Sequence, residues 1–317
     1  MCALVRSFPR VTEWSRASAL GLCHAEYSPK VMSSTINQRV QALGDPLRRA
    51  WFWGLIGLAA VMVVWVIFAA LGWPGELDTC TLPGGNCYCE AYPPGPVAIK
   101  QPSNTWSGLF AALAGLVILF IADRDRLAGP HADDAAPMAT GGLYPIMYGA
   151  LVTFLGPGAM FFHAGLTRFG GWMDNHSMVL YVSFLLLYDA SRLLRFDTNR
   201  VLFIIIFAAA NVIFGTLIWF AQGSGTIIFA ILAVVAVLVQ VVILIWSPRG
   251  LVRRPWPWLV FAVIAFGVGT LVWRLTWTDA PWCDPQSPIQ GHFIWHLLAM
   301  AATPFLIFFY LRDETRA

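Results

Sequence analysis

The sequence predicts an all-α membrane protein, a polytopic bundle of transmembrane helices, and three observations support that prediction. Of its 317 residues, 58% are hydrophobic and only 12% are charged, against roughly 25% charged residues in soluble domains. Apolar runs long enough to cross about 30 Å of hydrocarbon recur along the chain. Many of the 15 tryptophans lie at the ends of those runs, as in the aromatic belts of membrane interfaces.

The apolar runs predict eight transmembrane helices. They fall at residues 51–72, 104–122, 143–163, 173–191, 201–221, 224–247, 257–275 and 289–311. The fourth run has the weakest hydropathy signal, because it starts with Asp174, Asn175 and His176. Three polar segments complete the predicted organisation, namely an N-terminal tail, a cysteine-containing loop and a C-terminal tail at residues 1–50, 73–103 and 312–317. The first of these has no apolar core, so it is not predicted to be a cleaved signal peptide.

The basic residues predict the orientation of the helices. If eight helices alternate in direction, all but three of the 20 Lys and Arg residues fall on one side, the exceptions being Lys100, Arg168 and Arg274. Because Lys and Arg concentrate in cytoplasmic flanks, both termini are predicted to be cytoplasmic. This rule also accounts for the basic N-terminal tail, so no nucleic-acid partner is predicted. The absence of an internal repeat argues against a transporter.

The cysteines divide between the two predicted sides. Cys80, Cys87, Cys89 and Cys283 fall outside, whereas Cys2 and Cys23 fall inside. An even number in an oxidising compartment favours disulfides over free thiols. A bridge from the loop at 73–103 to the last outer loop would tie the two loops together.

Four ionisable side chains are predicted at one level, near the outer face of the bilayer. His163 ends the third helix and Asp174 begins the fourth, while His292 and His296 share one face of the last helix, one turn apart. Ionisable groups inside a membrane are costly unless they are paired or bind a metal. Three His ligands with an open fourth position are typical of catalytic zinc. Asp174 is then a candidate general base and acid.

Three segments around these residues carry a resemblance to a known family. They read Gly158-Ala159-Met160-Phe161-Phe162-His163, then Asp174, then Gly291-His292 followed by His296. Upstream, the chain reads Cys89-Glu90 and Gln101-Pro102-Ser103-Asn104-Thr105-Trp106-Ser107. Together these segments resemble the alkaline ceramidase family, part of a superfamily of seven-helix membrane hydrolases that includes the adiponectin receptors. The resemblance implies a seven-helix core over residues 104–311, so that the helix at 51–72 is an addition.

The resemblance also implies an activity and residue roles. Ceramidases of this family are zinc amidases that split ceramide, a membrane lipid, into a sphingoid base and a fatty acid. By motif position, His163, His292 and His296 would bind zinc and Asp174 would act as the acid/base. Cys89 and Cys283 would form a disulfide.

Two departures from the family pattern bear on function. Ala159 stands where the family has a serine, four residues before the first zinc histidine. Loss of an oxyanion donor can lower a rate by about 10²–10³-fold. The alternative hypothesis is therefore a non-catalytic or weakly active, receptor-like relative that binds lipid around a structural zinc.

The second departure concerns calcium. The family's calcium site lies in the first outer loop, and Glu90 is retained there, whereas Cys87, Tyr88, Tyr92 and Gln101 replace Asp, Trp, Asn and Glu. Calcium prefers several hard anionic oxygens. We therefore expect calcium binding to be weak or absent, unless Asp78, Asn86 or backbone carbonyls take over as ligands.

Overall fold

The structure, a computed structural model, describes residues 46–81, 87–95, 97–128, 136–246 and 255–313. The predicted N-terminal tail up to residue 45, with Cys2 and Cys23, lies outside these residues, as do Asn86 and the chain beyond residue 313. Within the described ranges the fold is all-α, as predicted. Its one departure from helix and loop is an isolated antiparallel bridge between Leu77 and Thr167.

Ten α-helices are found in the described residues. They are α1 (Ala50–Leu71), α2 (Pro102–Ser107), α3 (Leu109–Ala128), α4 (Leu143–Gly165), α5 (Arg168–Leu193), α6 (Arg200–Phe220), α7 (Ser224–Trp246), α8 (Trp256–Leu275), α9 (Gly291–Trp295) and α10 (Thr303–Arg312). Helices α2 and α3 are separated by one residue and form one continuous rod. A π-helical segment, His296–Ala302, joins α9 to α10 in the same way. Each of the eight predicted runs therefore coincides with a long helical segment.

Seven of these segments, among the described residues, are long and apolar enough to cross a membrane. The remaining one is α5, whose 26 residues exceed the roughly 20 needed to span the hydrocarbon but include Asp174 and Asp189. This is the helix whose hydropathy signal was weakest in the sequence. The chain is thus a multi-pass membrane protein.

Helix α4 lies at the centre of the bundle. In its most apolar stretch 72% of the residues are buried, against 6% in α7, so α4 is surrounded by protein while α7 faces outward. Helix α4 packs against α1, α3 and α5. Its partner α5 follows after a two-residue connection, so the two helices form an antiparallel hairpin that carries His163 and Asp174 at its tip.

The rod formed by α2 and α3 approaches α4 very closely. A Cβ atom added to Gly156 would lie 2.6 Å from the carbonyl oxygen of Gly108 and 2.9 Å from the Ala112 Cβ. Real side chains do not tolerate such contacts with backbone, so only glycine fits at this crossing. Small residues allow this kind of close helix packing in membranes.

Replacing Gly156 with valine should therefore destabilise the bundle. Overpacking costs about 1–3 kcal/mol where side chains can adjust, and here the obstacle is backbone, so we expect an effect at the upper end. The matched control is Gly57→Val in α1, where a new Cβ meets nothing within 4 Å. Thermal unfolding in detergent measures both variants. An unfolding temperature for Gly156→Val as high as that of Gly57→Val would contradict the packing.

Candidate metal centre

Three histidines converge at the end of the bundle where α4 meets α9. One ligand nitrogen from each of His163, His292 and His296 lies within 4.8 Å of the others. The Nε2 atoms of His163 and His292 are 3.1 Å apart, close to the roughly 3.3 Å expected between two nitrogens bound to one tetrahedral zinc. All three side chains are buried, with 0%, 6% and 1% of their surface exposed. In the described residues this is the only such group of three or more His, Cys, Asp or Glu side chains.

Local helix geometry brings the two histidines of the last helix to this point. His292 lies in the first turn of α9, and His296 begins the π-helical segment that follows. Such π-helical turns occur frequently at functional sites. The ring centroids of His292 and His296 are 4.5 Å apart, so the predicted one-turn spacing does place both imidazoles on one face.

Two polar side chains of α2 and its N-terminal flank fix the orientation of two of the imidazoles. The Gln101 amide nitrogen donates to the carbonyls of Cys87 and Glu90, which leaves Oε1 to accept from His163 Nδ1 at 2.7 Å. The Ser107 hydroxyl donates to the Asn104 carbonyl at 2.8 Å. Its oxygen therefore accepts from His296 Nδ1, 2.6 Å away.

These hydrogen bonds decide which ring nitrogens can bind a metal. With the proton held on Nδ1, the Nε2 atoms of His163 and His296 carry free lone pairs. Metal-binding histidines usually donate their second ring N–H to a fixed acceptor in this way. The donor set therefore fits a borderline-soft divalent cation such as zinc. The group contains three imidazoles and no acidic side chain.

The third imidazole, His292, is covered by Tyr88. The two rings are stacked with centroids 3.8 Å apart, and Tyr88 also lies 5.2 Å from the His163 ring. Tyr88 has a left-handed backbone with φ of 71°, a conformation that is uncommon for a bulky residue. Burial raises the pKa of the Tyr88 phenol above its ordinary value, and the negative charges of Asp174 and Asp78 raise it further.

Two disulfides flank Tyr88 and hold its loop against the histidines. One joins Cys80 to Cys87, and the other joins Cys89 to Cys283, the pairing that the family resemblance implies. The second links the loop before α2 to the loop before α9. Both loops lead into helices that carry or support the three imidazoles, so the bridge restrains the two sides of the site together.

Asp174 lies near the three histidines but outside their group. It is buried in the second turn of α5 and does not share the 4.8 Å cluster. Its charge acts on Tyr88, the residue that lies against both His292 and His163. No described residue forms a hydrogen bond or ion pair with its carboxylate, so this group is available to a small polar molecule in the site.

Glu90, the remaining candidate calcium ligand, caps a helix. Its two carboxylate oxygens accept hydrogen bonds from the backbone N–H groups of Ser103 and Asn104, at 2.7 and 2.9 Å, as expected for an acid at a helix N-terminus. Burial raises the pKa of Glu90, while these two bonds act in the opposite direction. Weak or absent calcium binding stays a prediction, and Glu90 has a structural role without it.

Ala159 and His176, two further residues that the sequence singles out, can also be placed. Ala159 is fully buried, one turn before His163 on α4, and brings no polar atom to the site. His176 lies away from the three histidines, because its ring packs against Gly215 of α6. Gln101, Ser107 and Asn104 were not assigned to the histidine site from the sequence. They lie three residues apart within a mostly polar stretch that precedes the apolar helix α3.

The added helix α1 supports the turn that carries His163. The Trp65 indole donates to the carbonyl of Met160, three residues before His163, at 3.2 Å. Trp73 packs on Gly165, and its indole donates to the carbonyl of Ala98. Helix α1 therefore belongs to the described bundle rather than forming an independent anchor.

An apolar cavity of about 490 Å³ runs along the bundle, and its lining includes Trp295 but none of the three histidines. It is lined by α4, α5, α7, α8 and the last helical segment. Trp295, the residue before His296, lies at one end, and Gln240 and Tyr310, which are joined by a 2.6 Å hydrogen bond, lie at the other. Along α5 the lining runs from Met178 to Asp189, eleven residues or about 16 Å of helix.

The cavity opens at the side of the helix bundle, between α7 and α8. Val237 and Val263 line it, yet 62% and 63% of their surface is exposed. In a protein embedded in a bilayer that surface faces lipid. A long apolar molecule could therefore enter sideways from the membrane.

Comparison with known proteins links the chain to a family. A family model described as Ceramidase matches residues 97–315, a range that contains Gln101, Asp174 and the three histidines but not α1 or Tyr88. A search of curated proteins finds no match for the chain.

Proposed function

Since the chain belongs to the ceramidase family, we propose that it is a zinc-dependent membrane hydrolase that cleaves the amide bond of ceramide or a related lipid. The products would be a sphingoid base and a fatty acid. One observation above all supports this proposal. Three buried imidazoles meet at one point, and two of them have Nδ1 already engaged, which leaves Nε2 as the ligand atom.

In this proposal His163, His292 and His296 hold the zinc. When bound, zinc supplies a Lewis acid that polarises a carbonyl and makes water a nucleophile near neutral pH. The surrounding residues exclude bulk water, since all three imidazoles are buried and Tyr88 covers His292. Gln101 and Ser107 keep the rings of His163 and His296 in the orientation that binding requires.

Asp174 is the proposed acid/base. Its carboxylate takes a proton from the attacking water as the new carbon–oxygen bond forms. It then gives that proton to the amide nitrogen as the carbon–nitrogen bond breaks, so that a fatty acid and an amine leave and Asp174 is again ionised. A carboxylate with no other partner among the described residues is suited to both steps.

The cavity is the proposed site of an alkyl chain of the lipid. Its lining is apolar along most of its length, and its opening lies between α7 and α8. A lipid lying in the bilayer could slide in so that its amide stops beside Trp295 and the histidines. The substrate would therefore never leave the hydrocarbon for water.

Metal analysis of the purified protein, combined with release of fatty acid from ceramide, tests this function. We expect about one zinc per chain and fatty acid released in step with free amine. Removal of zinc with a chelator should stop the release, and added zinc should restore it. A pure, folded protein that contains no zinc and releases nothing would overturn the proposal.

Ala159 favours a second candidate, a receptor-like relative that binds lipid around zinc without turnover. The two candidates differ in one measurement. If the wild-type protein holds zinc and lipid but cleaves nothing, and Ala159→Ser creates cleavage, the second candidate is correct. Turnover by the wild-type protein excludes it.

We further propose that both termini are cytoplasmic, which places the histidines and the two disulfides on the outer side. The distribution of Lys and Arg supports this orientation, and so does the position of both disulfides at the same end of the bundle, since disulfides persist in oxidising compartments. Labelling of single cysteines introduced after residue 313 and near residue 94 with a membrane-impermeant thiol reagent checks it. Reaction from the outside at the C-terminal position would contradict it.

Gln101 provides a graded test of the zinc site. Gln101→Leu removes the acceptor for His163 Nδ1, and changes of this kind typically lower metal affinity by about 10–100-fold. Gln101→Glu retains an acceptor oxygen and should hold zinc more tightly than Gln101→Leu does. Competition with a zinc-binding dye measures both affinities. Equal affinities for Gln101→Leu and the wild-type protein would contradict the orienting role.

A further inference from the structure

The side chain of Asn104 is buried without any hydrogen-bond partner. None of its surface is exposed, and neither Nδ2 nor Oδ1 forms a hydrogen bond. Buried side-chain amides are nearly always satisfied, because an unmade hydrogen bond in the interior costs free energy that water would have supplied. An amide left in this state points to a partner that binds there.

The position of Asn104 on α2 shows which part of the molecule it faces. Residues three and four apart lie on the same side of a helix. Ser107, three residues on, contacts His296, whereas Gly108, four residues on, meets Gly156 of α4. Asn104 therefore faces the seam between α4, which carries His163, and the last helix, which carries the other two imidazoles.

The level of Asn104 along α4 follows from two contacts. Gln101 pairs with His163 through both its backbone N–H and its side chain, and Gly108 meets Gly156. Asn104 lies between these two contacts, and so it is level with the turn of α4 around Ala159. That turn precedes His163 on the same helix face and offers no polar side-chain atom.

Two neighbouring hydrogen-bond donors on the same stretch of chain, those of Ser107 and Gln101, are already engaged. The Ser107 hydroxyl gives its proton to the Asn104 carbonyl, and the Gln101 amide nitrogen is held by two backbone carbonyls. The Asn104 Nδ2 group is thus an unused donor in the seam where the reacting carbonyl must lie if the histidines hold a metal.

We propose that Asn104 is a further catalytic residue, whose side-chain Nδ2 donates a hydrogen bond to the carbonyl oxygen of the lipid amide as negative charge develops on it. The proposal rests on the proposed amide hydrolysis. A preorganised amide donor acts in this way in oxyanion holes, where its removal lowers turnover by about 10²–10³-fold. The amide has no partner within the protein because its partner belongs to the substrate.

Asn104→Leu tests the proposal, with Thr105→Val as its matched control. Leucine keeps the branching of the asparagine side chain at Cγ but removes its hydrogen-bond donor and acceptor. Thr105 is the neighbouring residue on α2, equally buried, with a hydroxyl that also lacks a partner. For Asn104→Leu we expect kcat to fall about 10²–10³-fold, with wild-type zinc content and an unfolding temperature equal to or above that of the wild-type protein. For Thr105→Val we expect wild-type kcat and zinc content.

The unfolding temperature separates catalysis from structure. A donor that supports the fold would leave a less stable protein when removed, whereas a donor that waits for substrate leaves an equally or more stable one. A fall in unfolding temperature or in zinc content with Asn104→Leu would overturn the proposal. So would a kcat within threefold of that of the wild-type protein.

A binding measurement keeps the proposal separate from the proposed function. A long-chain hydroxamic acid presents a carbonyl oxygen beside a metal-binding group without being cleaved. We expect Asn104→Leu to bind it at least tenfold more weakly, and Thr105→Val to bind it as the wild-type protein does. If the wild-type protein cleaves no lipid amide, the proposed function fails while this comparison still decides whether Asn104 contacts the carbonyl. Equal affinity for all three proteins would overturn the proposal for Asn104.

Discussion

Replacing His163 with alanine is expected to remove the bound zinc and to lower lipid-amide hydrolysis by about 10³-fold or more. Three nitrogens form the site, and with one of them missing the remaining two His side chains cannot complete a typical catalytic zinc site. The loss of a Lewis acid removes several kcal/mol of transition-state stabilisation, and each 1.36 kcal/mol corresponds to about tenfold in rate. Zinc content and fatty-acid release, measured on the same preparation, report both effects.

His176→Ala is the matched control for this change. His176 lies on α5 near the same end of the bundle, but its ring packs against Gly215 and takes no part in the group of three. The His176→Ala protein should therefore keep its zinc and its turnover. Stoichiometric zinc in the His163→Ala protein would contradict the assignment of the site, and loss of zinc from both variants would point to unfolding instead.

The helices could be predicted from the sequence because lipid imposes a simple condition on them. Each must present about 20 apolar residues, and eight such runs are present. Helix α5 is the weakest case, since Asp174 and Asp189 interrupt its apolar character. These two carboxylates are tolerated because α5 packs against α4, α6 and α7 rather than lying freely in lipid.

The meeting of the three histidines could also be predicted, because alternating helices bring their ends to one level. His163 at the end of α4 and His292 at the start of α9 must then lie at the same face. The position of Asp174 agrees only in part. The sequence predicts Asp174 at the level of the histidines, and in the structure its carboxylate lies outside their 4.8 Å group, with its charge acting on Tyr88.

The residues that orient the imidazoles could not be predicted. Whether Gln101 reaches His163 depends on how far α2 is shifted along α4, and this shift is fixed by the contact between Gly108 and Gly156. No sequence period encodes such a shift. The same is true of the cavity, which exists because α7 and α8 leave space beside Trp295.

Replacing Asp174 with asparagine should separate metal binding from turnover. Asparagine is close in size to aspartate, and Asp174 is not one of the three grouped ligands, so zinc content should stay at the wild-type level. Turnover should fall by about 10²–10⁴-fold, the usual contribution of a general acid–base group. Asp125→Asn serves as the control, because Asp125 pairs with Arg312 at 2.7 Å at the other end of the bundle. It should reduce stability and leave turnover per zinc unchanged.

The pH profile and the leaving group then identify what Asp174 does. A base must be ionised, so wild-type kcat/KM should fall as the pH drops through the pKa of this group, and the Asp174→Asn variant should lack that fall. As an acid, Asp174 protonates the departing amine. A lipid anilide with an electron-poor ring needs less protonation, so the variant should lose less activity on it than on ceramide. If the variant lost equal activity on both substrates and its kcat/KM still fell at low pH, Asp174 would have only a structural role. The three histidines would then have no known proton carrier beside them.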